Sequence, residues 1–228
     1  MSAEFDRFVG EYDELLKDPV REYFAPGSTF FVTRKLELLL ETLGRLGLDT
    51  RKATWLDVGC GQGHLLRAGR SHFARVVGCD VSAGMMRDIA DLDVVAQTDP
   101  HRVPFDDQSV DLVTTVCIYH HVDRPAWPRL TADIRRVLRP GGVFVMIEHN
   151  PINPVVQLII RRTPVDEHAH LLTAAAARRA MRDAEFDVRA TRYFLYVPEH
   201  LYRWGRFVER ALEAVPMGGQ YMVVGLKR

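Results

Sequence analysis

The chain has 228 residues, 47% of them hydrophobic, and its 30 basic and 30 acidic side chains cancel to a formal charge of zero. That is enough apolar material for a sizeable core without a disulfide or metal staple, and neutrality disfavours the phosphate-neutralising surface of a non-specific nucleic-acid binder. Three cysteines with no Cys-x-x-Cys pair argue for reduced thiols and a cytoplasmic location. With no basic-then-apolar leader and no run of about eighteen apolar residues, neither export nor a transmembrane segment is expected.

Residues 3–24 carry Phe5, Phe8, Val9, Tyr12, Leu15 and Leu16 at helical spacing, with a stop near Asp18-Pro19. After the break at Pro26-Gly27-Ser28, residues 30–46 read as a second helix with Leu36, Leu39, Leu40 and Leu43 on one face. Ala53 to Val58 is apolar enough for a buried strand, and His64 to Arg70 can begin a helix with Leu65 and Leu66 inward. Between them runs Asp57-Val58-Gly59-Cys60-Gly61-Gln62-Gly63. Glycines at such a turn permit positive φ and let a ligand approach the backbone, while N–H groups at a helix start favour an anionic group. A dinucleotide fingerprint fails here because its sixth position is His64, and a P-loop fails because His64-Leu65 follow Gly63 where Lys-Ser/Thr is needed.

The second strand, Arg75 to Val81, ends in Asp80. It lies about 20 residues beyond the loop, where a doubly wound sheet places a ribose-binding carboxylate. Val94 to Gln97 is a third strand, and Asp99 follows five residues ahead of Pro104-Phe105. Asp111 to Val116 is a fourth, and Leu138-Arg139-Pro140-Gly141-Gly142 turns into a fifth, Val143 to Glu148. Together the Asp-x-Gly-x-Gly-x-Gly loop, Asp80, the Asp99 and Pro104-Phe105 pattern and the Arg-Pro-Gly-Gly turn cover roughly residues 54–148. In that order they resemble the motifs of the class I S-adenosylmethionine (SAM)-dependent methyltransferases.

The resemblance implies an α/β fold, a Rossmann-like doubly wound seven-stranded sheet of order 3-2-1-4-5-7-6 with strand seven antiparallel. It implies one domain over residues 1–228, with residues 1–50 as helices capping the cofactor and 150–172 and 198–217 as lid insertions on the acceptor side. SAM is the implied cofactor. Its expected contacts are Tyr12 from the cap, Asp57, Gly59, Cys60, Gly61 and Gly63 in the loop, Asp80 and Val81 at the ribose, Asp99 and Pro100 beside the adenine, and Cys117 past strand four. Arg34 is a further candidate from the cap. Cys60, Cys79 and Cys117 fall at the carboxyl ends of strands one, two and four, which that order makes neighbours, so all three are expected along the cofactor rim.

Ligands in open α/β sheets bind beyond the carboxyl ends of the strands. Cys117-Ile118-Tyr119-His120-His121-Val122 leaves strand four at that edge, and His121 matches a His-Val or His-Leu pair common in the family. Strand five ends there in Glu148-His149-Asn150. His121, Glu148 and His149 are therefore the candidate bases for a hydroxyl or acidic-carbon acceptor. His120, His121, His149, His168 and His170 show no His-x-x-x-His or carboxylate set with ligand spacing, and the family's metal-dependent members carry an Asp near strand four where this chain has Cys117 to His121. No metal is expected.

The apolar segment Ile152 to Ile160 reads as a lid or as one wall of an acceptor pocket. Thr173 suits the N-cap of a helix running to about Ala184, Asp187 to Val197 reads as strand six and Gln220 to Leu226 as strand seven. Between these strands Leu201, Trp204, Phe207, Val208, Leu212 and Val215 form a helical stripe opposite Arg203, Arg206 and Arg210. Packing on the chain's own domain is the reading adopted for this stripe, with a membrane surface as the alternative. The expected activity is methyl transfer to an O, C or N atom of a small, partly hydrophobic molecule: a natural product, a quinone or lipid-linked compound, or a saccharide-pathway acceptor. A non-catalytic SAM-binding or partner-binding module on the same fold is the alternative.

Overall fold

Val143, Val145 and Ile147 of the fifth strand point to one side of the sheet and Phe144 and Met146 to the other, and all five are buried. Alternation with no wet side is what a sheet covered on both faces requires. The computed structural model describes Asp6, residues 9–167 and residues 169–228; Phe5, Phe8 and His168 lie outside the described residues. Its strands are β1 (Thr54–Val58), β2 (Arg75–Asp80), β3 (Asp93–Ala96), β4 (Val110–Val116), β5 (Leu138–His149), β6 (Phe186–Phe194) and β7 (Gln220–Lys227). They form one sheet of order β3-β2-β1-β4-β5-β7-β6, with β7 antiparallel to both neighbours, as expected.

Helices α1 (Tyr12–Leu15), α2 (Pro19–Phe24), α3 (Thr29–Arg45) and α4 (His64–Gly69) precede β2. Leu36, Leu39 and Leu43 of α3 and Leu65 and Leu66 of α4 close on Trp55 and the Val143 side of β5. Helices α5 (Trp127–Val137) and α7 (Ala174–Asp183) cover the opposite face with Leu130, Ile134, Val137, Ala177 and Met181. Thr173 caps α7 by accepting a bond from Ala176 N at 3.2 Å. Helices α6 (Pro154–Ile160) and α8 (Glu199–Leu212) complete the set.

Several boundaries differ from the sequence reading; strand β6, for one, ends at Phe194 and not at Val197. Asp18-Pro19 ends α1, but it also opens α2: the Asp18 carboxylate accepts from Val20 N (2.8 Å) and Arg21 N (3.3 Å), and proline fits the first helical position, where no intrahelical N–H is needed. Strand β5 begins at Leu138, earlier than Val143, because Leu138 already pairs with Val110, and the Arg-Pro-Gly-Gly segment bulges with Gly141 at a φ of 80°. Its pairing with β4 jumps from Val110↔Leu138 to Leu112↔Val143.

The stripe on α8 is the larger correction. Leu201, Trp204 and Phe207 are 51%, 72% and 69% exposed, so the apolar side of α8 does not pack on the rest of the chain. The helix is seated instead by its Tyr202, Gly205 and Glu209 edge. Arg34 of α3 donates to Glu209 at 2.7 Å and lies over the Tyr202 ring, and Glu209 also accepts from Tyr196 N at 3.0 Å. A polar anchor of this kind leaves no periodicity in the sequence. Removing one partner of a buried ion pair costs about 3–5 kcal/mol. Glu209→Ala is therefore expected to lower Tm by roughly 6–20 °C in a chain of this size, read by calorimetry against the parent.

Candidate functional site

The loop after β1 meets the carboxyl ends of β2 and β4 and forms the floor of a cavity of about 590 Å³. Gly59, Gly61 and Gly63 have φ of 74°, 50° and 70°, values a β-carbon strains. At Gly59 a Cβ would stand 2.1 Å from the Ile118 side chain, so its absence lets the chain leaving β4 cross the loop. Four of the loop's N–H groups are spent within the protein. Those of Gly59 and Cys60 both donate to the Cys79 carbonyl (2.7 and 3.0 Å), that of Gly63 to the Cys60 carbonyl (2.9 Å), and that of Gly61 to Asp80 (2.8 Å). The anion cradle expected from the sequence does not form from these groups.

Two carboxylates stand on this floor. Asp80 at the end of β2 accepts from Gly61 N and Ser82 N, each at 2.8 Å, and burial raises its pKa against those bonds. Asp57 in β1 is 3% exposed and accepts from the Thr114 hydroxyl, which in turn accepts from the Trp55 indole at 2.8 Å. Burial pushes the pKa of Asp57 up to about 7. A carboxylate held this close to neutrality gains from a cationic partner.

Tyr12, Asp57, Gly59, Cys60, Gly61, Asp80, Val81, Pro100, Cys117, His121 and His149 all line the cavity; Gly63, Asp99 and Glu148 do not. Asp99 faces outward, bonded to Arg129 (2.7 Å) and to His101 N (2.9 Å), and Gln97 lines the cavity from that loop in its place. Cys79 is fully buried beneath the floor, so only two of the three thiols reach the rim. Burial raises the pKa of all three, that of Cys117 to about 12, which leaves them poor nucleophiles.

Arg34 points away to Glu209, and the next residue, Lys35, lines the cavity. Lys35 makes no hydrogen bond or ion pair among the described residues, and burial lowers its pKa against the pull of Cys117, Asp57 and Glu148. Position 35 escaped the sequence reading because one residue along a helix is a rotation of about 100°.

Across the cavity lies a second polar group. Cys117 holds a left-handed φ of 56°, which turns the chain out of β4 into the short helical turn Tyr119–His121. Glu148, fully buried at the end of β5, accepts from Ile118 N (2.9 Å) and Tyr119 N (2.7 Å) and faces His120 Nδ1 at 2.6 Å. His120 Nε2 and His121 Nε2 each lie 3.4 Å from the same oxygen of Asp166. Burial opposes charge on His120, but Glu148 and Asp166 outweigh it and raise its pKa well above the ordinary imidazole value. Burial and the neighbouring His120 charge bring His149 down to about 4. Asp166 falls far below the usual carboxylate range because bonds from His120 and His121 overcome its burial.

His120 and Asp166 were not among the sequence candidates. Asp166 arrives on the turn Pro164–Asp166, remote in sequence, and its only signal there was an acid following an apolar segment. With His121 they form the one group among the described residues whose donor atoms, all within 4.8 Å, could share an ion. Gln220, at the start of β7, is 5% exposed and lines the cavity with Oε1 unpartnered. The remaining walls include Val20, Phe24, Phe31, Val156 and Ile159, so the polar groups face an apolar chamber.

Residues 56–146 match the family described as a methyltransferase domain. Over that stretch the chain carries a methyltransferase domain similar to those of the class I SAM-dependent enzymes, whose cofactor is SAM. Among curated relatives it is 27% identical over 191 residues to a demethylmenaquinone methyltransferase of Symbiobacterium thermophilum, covering 76% of this chain and 75% of that protein. It is 33% identical over 110 residues to a phthiotriol/phenolphthiotriol dimycocerosates methyltransferase of Mycobacterium leprae, covering 44% and 39%. Of curated relatives it matches, the chain spans between 32% and 75% of their length. A solved structure from Thermotoga maritima, a SAM-dependent methyltransferase described as a possible histamine N-methyltransferase, superposes with a TM-score of 0.71 at 17% identity over the whole of both chains. It shares the fold. Among the described residues no helix is long and apolar enough to cross a membrane.

Proposed function

We propose that the protein methylates a hydroxyl or acidic-carbon acceptor on a small, partly hydrophobic molecule, with His121 as the base. The observation that carries this reading is the His120, His121 and Asp166 group facing the glycine floor across an apolar chamber. SAM supplies an electrophilic methyl on a sulfonium, so the protein's share is orientation, exclusion of water and proton removal. Asp80 suits the ribose hydroxyls, and Asp57 and Lys35, both on the cavity wall, match the α-ammonium and α-carboxylate of the cofactor.

Elimination supports His121. His120 already holds its proton between two carboxylates, His149 is too weak a base near neutrality, and the Glu148 carboxylate is buried and bonded on both oxygens. Asp166, 3.4 Å from His121 Nε2, would orient that ring toward an acceptor. Glu148 and Asp166 then act as positioning residues. No metal enters this reading, since a protonated His120 fills the space between the carboxylates; turnover is expected to be unchanged by EDTA.

The reading is tested by screening hydroxyl-bearing acceptors for a mass gain of one methylene unit alongside S-adenosylhomocysteine release. SAM and S-adenosylhomocysteine are expected to raise Tm while NAD and ATP do not, because only a ligand of the native state stabilises it. Asp80→Asn is expected to abolish most of that rise. Stabilisation by NAD, or an undiminished SAM shift in Asp80→Asn, contradicts the assignment. A SAM shift with no methyl transfer to any acceptor favours the binding module.

A further inference from the structure

Three exposed apolar residues on one helix and three arginines beside them are not used by the reaction. Leu201, Trp204 and Phe207, with Val208 at 38% exposure, form the outer side of α8. On the helical wheel Arg203, Arg206 and Arg210 fall to one side of that stripe, between it and the buried edge. All three are exposed and form no ion pair among the described residues. Nearby acids are paired elsewhere, Glu37 and Glu209 with Arg34, Glu41 with Arg45 and Arg192, and Glu213 with Arg192, which leaves Glu199 in the first turn. The outer surface of α8 is therefore apolar with a net positive border.

This surface continues to the mouth of the cavity. Pro198, just before α8, and Met217, after it, both line the cavity, and Met217 is 46% exposed. Asn153, the cap of α6, donates to the Met217 carbonyl at 2.8 Å, which joins the two rims. On α6, Val155 lines the cavity and, like Ile152 and Leu158, is exposed. Arg161 and Arg162, also exposed, follow that helix.

We propose that α8 and the adjoining rim dock on an anionic lipid bilayer. An aromatic and aliphatic stripe flanked by arginines is the pattern that lies in the headgroup region, with guanidinium groups reaching phosphates while their stems and the rings rest on acyl chain. The Arg203 guanidinium, 5.3 Å from the Trp204 ring centre, already sits at the level of that ring. Unneutralised arginines bordering the stripe select an anionic partner, as a negatively charged leaflet is. Docking in this orientation turns the cavity mouth toward the bilayer and lets an apolar acceptor enter without crossing water.

The full chain is mixed with phosphatidylcholine vesicles with and without phosphatidylglycerol, and binding is read by co-sedimentation and tryptophan fluorescence. Trp55 and Trp127 are buried, so a blue shift reports Trp204. Binding and a blue shift are expected with the anionic vesicles only, weakening with salt. Arg203→Gln, Arg206→Gln and Arg210→Gln together are expected to lower the partition coefficient by roughly a hundredfold, at about fivefold per charge. Leu201→Ser with Phe207→Ser, which keeps Trp204 as the reporter, is expected to abolish co-sedimentation and the blue shift while SAM still raises Tm, which certifies the fold. Failure to bind anionic vesicles, equal binding of the triple arginine variant, or a dimer of the parent that Trp204→Ser dissociates would each overturn the proposal, the last by showing that the face is covered by a second copy.

Discussion

His121→Ala is expected to lower kcat by about 10²–10⁴-fold, the range for loss of a positioned general base, and to leave the dissociation constant of SAM nearly unchanged. The split follows from geometry: His121 stands with Asp166 across the chamber from the glycine floor, and the floor residues Gly61 and Asp80 bond to each other and not to the histidine group. An interaction made only in the transition state leaves ground-state cofactor contacts alone. Asp166→Asn is expected to fall between parent and His121→Ala, because it leaves the imidazole but removes the charge that orients it. The check is steady-state kinetics with equilibrium binding on the same preparations. Full activity in His121→Ala would show that positioning alone drives transfer, and a matching loss of SAM affinity would show a cofactor role instead.

Asp57→Asn is expected to weaken SAM by about 10- to 100-fold, the worth of a charge-assisted bond in a buried setting, and to remove a pH dependence. With its pKa raised to about 7 by burial, the free protein holds Asp57 largely protonated at pH 6. Binding a cation there requires that proton to leave. Affinity therefore rises with pH, by up to about tenfold per unit, until the pH passes about 7, and then levels. Asp80 opposes ionisation of Asp57 and Lys35 favours it, so Lys35→Met shifts the rise to higher pH. Above pH 8 the α-ammonium of the ligand begins to lose its own proton, which sets a falling limb shared by parent and Asp57→Asn. Calorimetric titration from pH 5.5 to 8.5 separates the limbs, and an acidic limb surviving in Asp57→Asn would assign it to another group.

The cofactor half of the site was legible in the sequence because its parts are local. A glycine loop between a buried strand and a helix, and an acid at the end of the next strand, are set by hydrophobic pattern and spacing over about 25 residues. The acceptor half depends on long-range closure. Asp166 meets His120 and His121 only because the segment after α6 folds back, and no spacing rule links residues so far apart. Which of two adjacent histidines is locked depends on the turn Tyr119–His121, which buries His120 against Glu148 and leaves His121 partly open. Lys35 was missed for Arg34 by one step of helix rotation. The outward stripe of α8 was misread because amphipathicity states that a face is apolar and not what covers it.

Cys117 gives the fold a price that bears on its engineering. A non-glycine residue held at a φ of 56° stores about 1 kcal/mol or more of backbone strain, and its position is the corner from which Ile118 crosses Gly59 and His120 reaches Glu148. Glycine at 117 would relax the corner and simultaneously give it freedom to wander, so that thermostability selected at this position trades against the placement of both histidines. A screen that ranks variants on melting temperature alone will favour the wrong substitutions along residues 117–121, and the safer gains lie at surface positions remote from that turn.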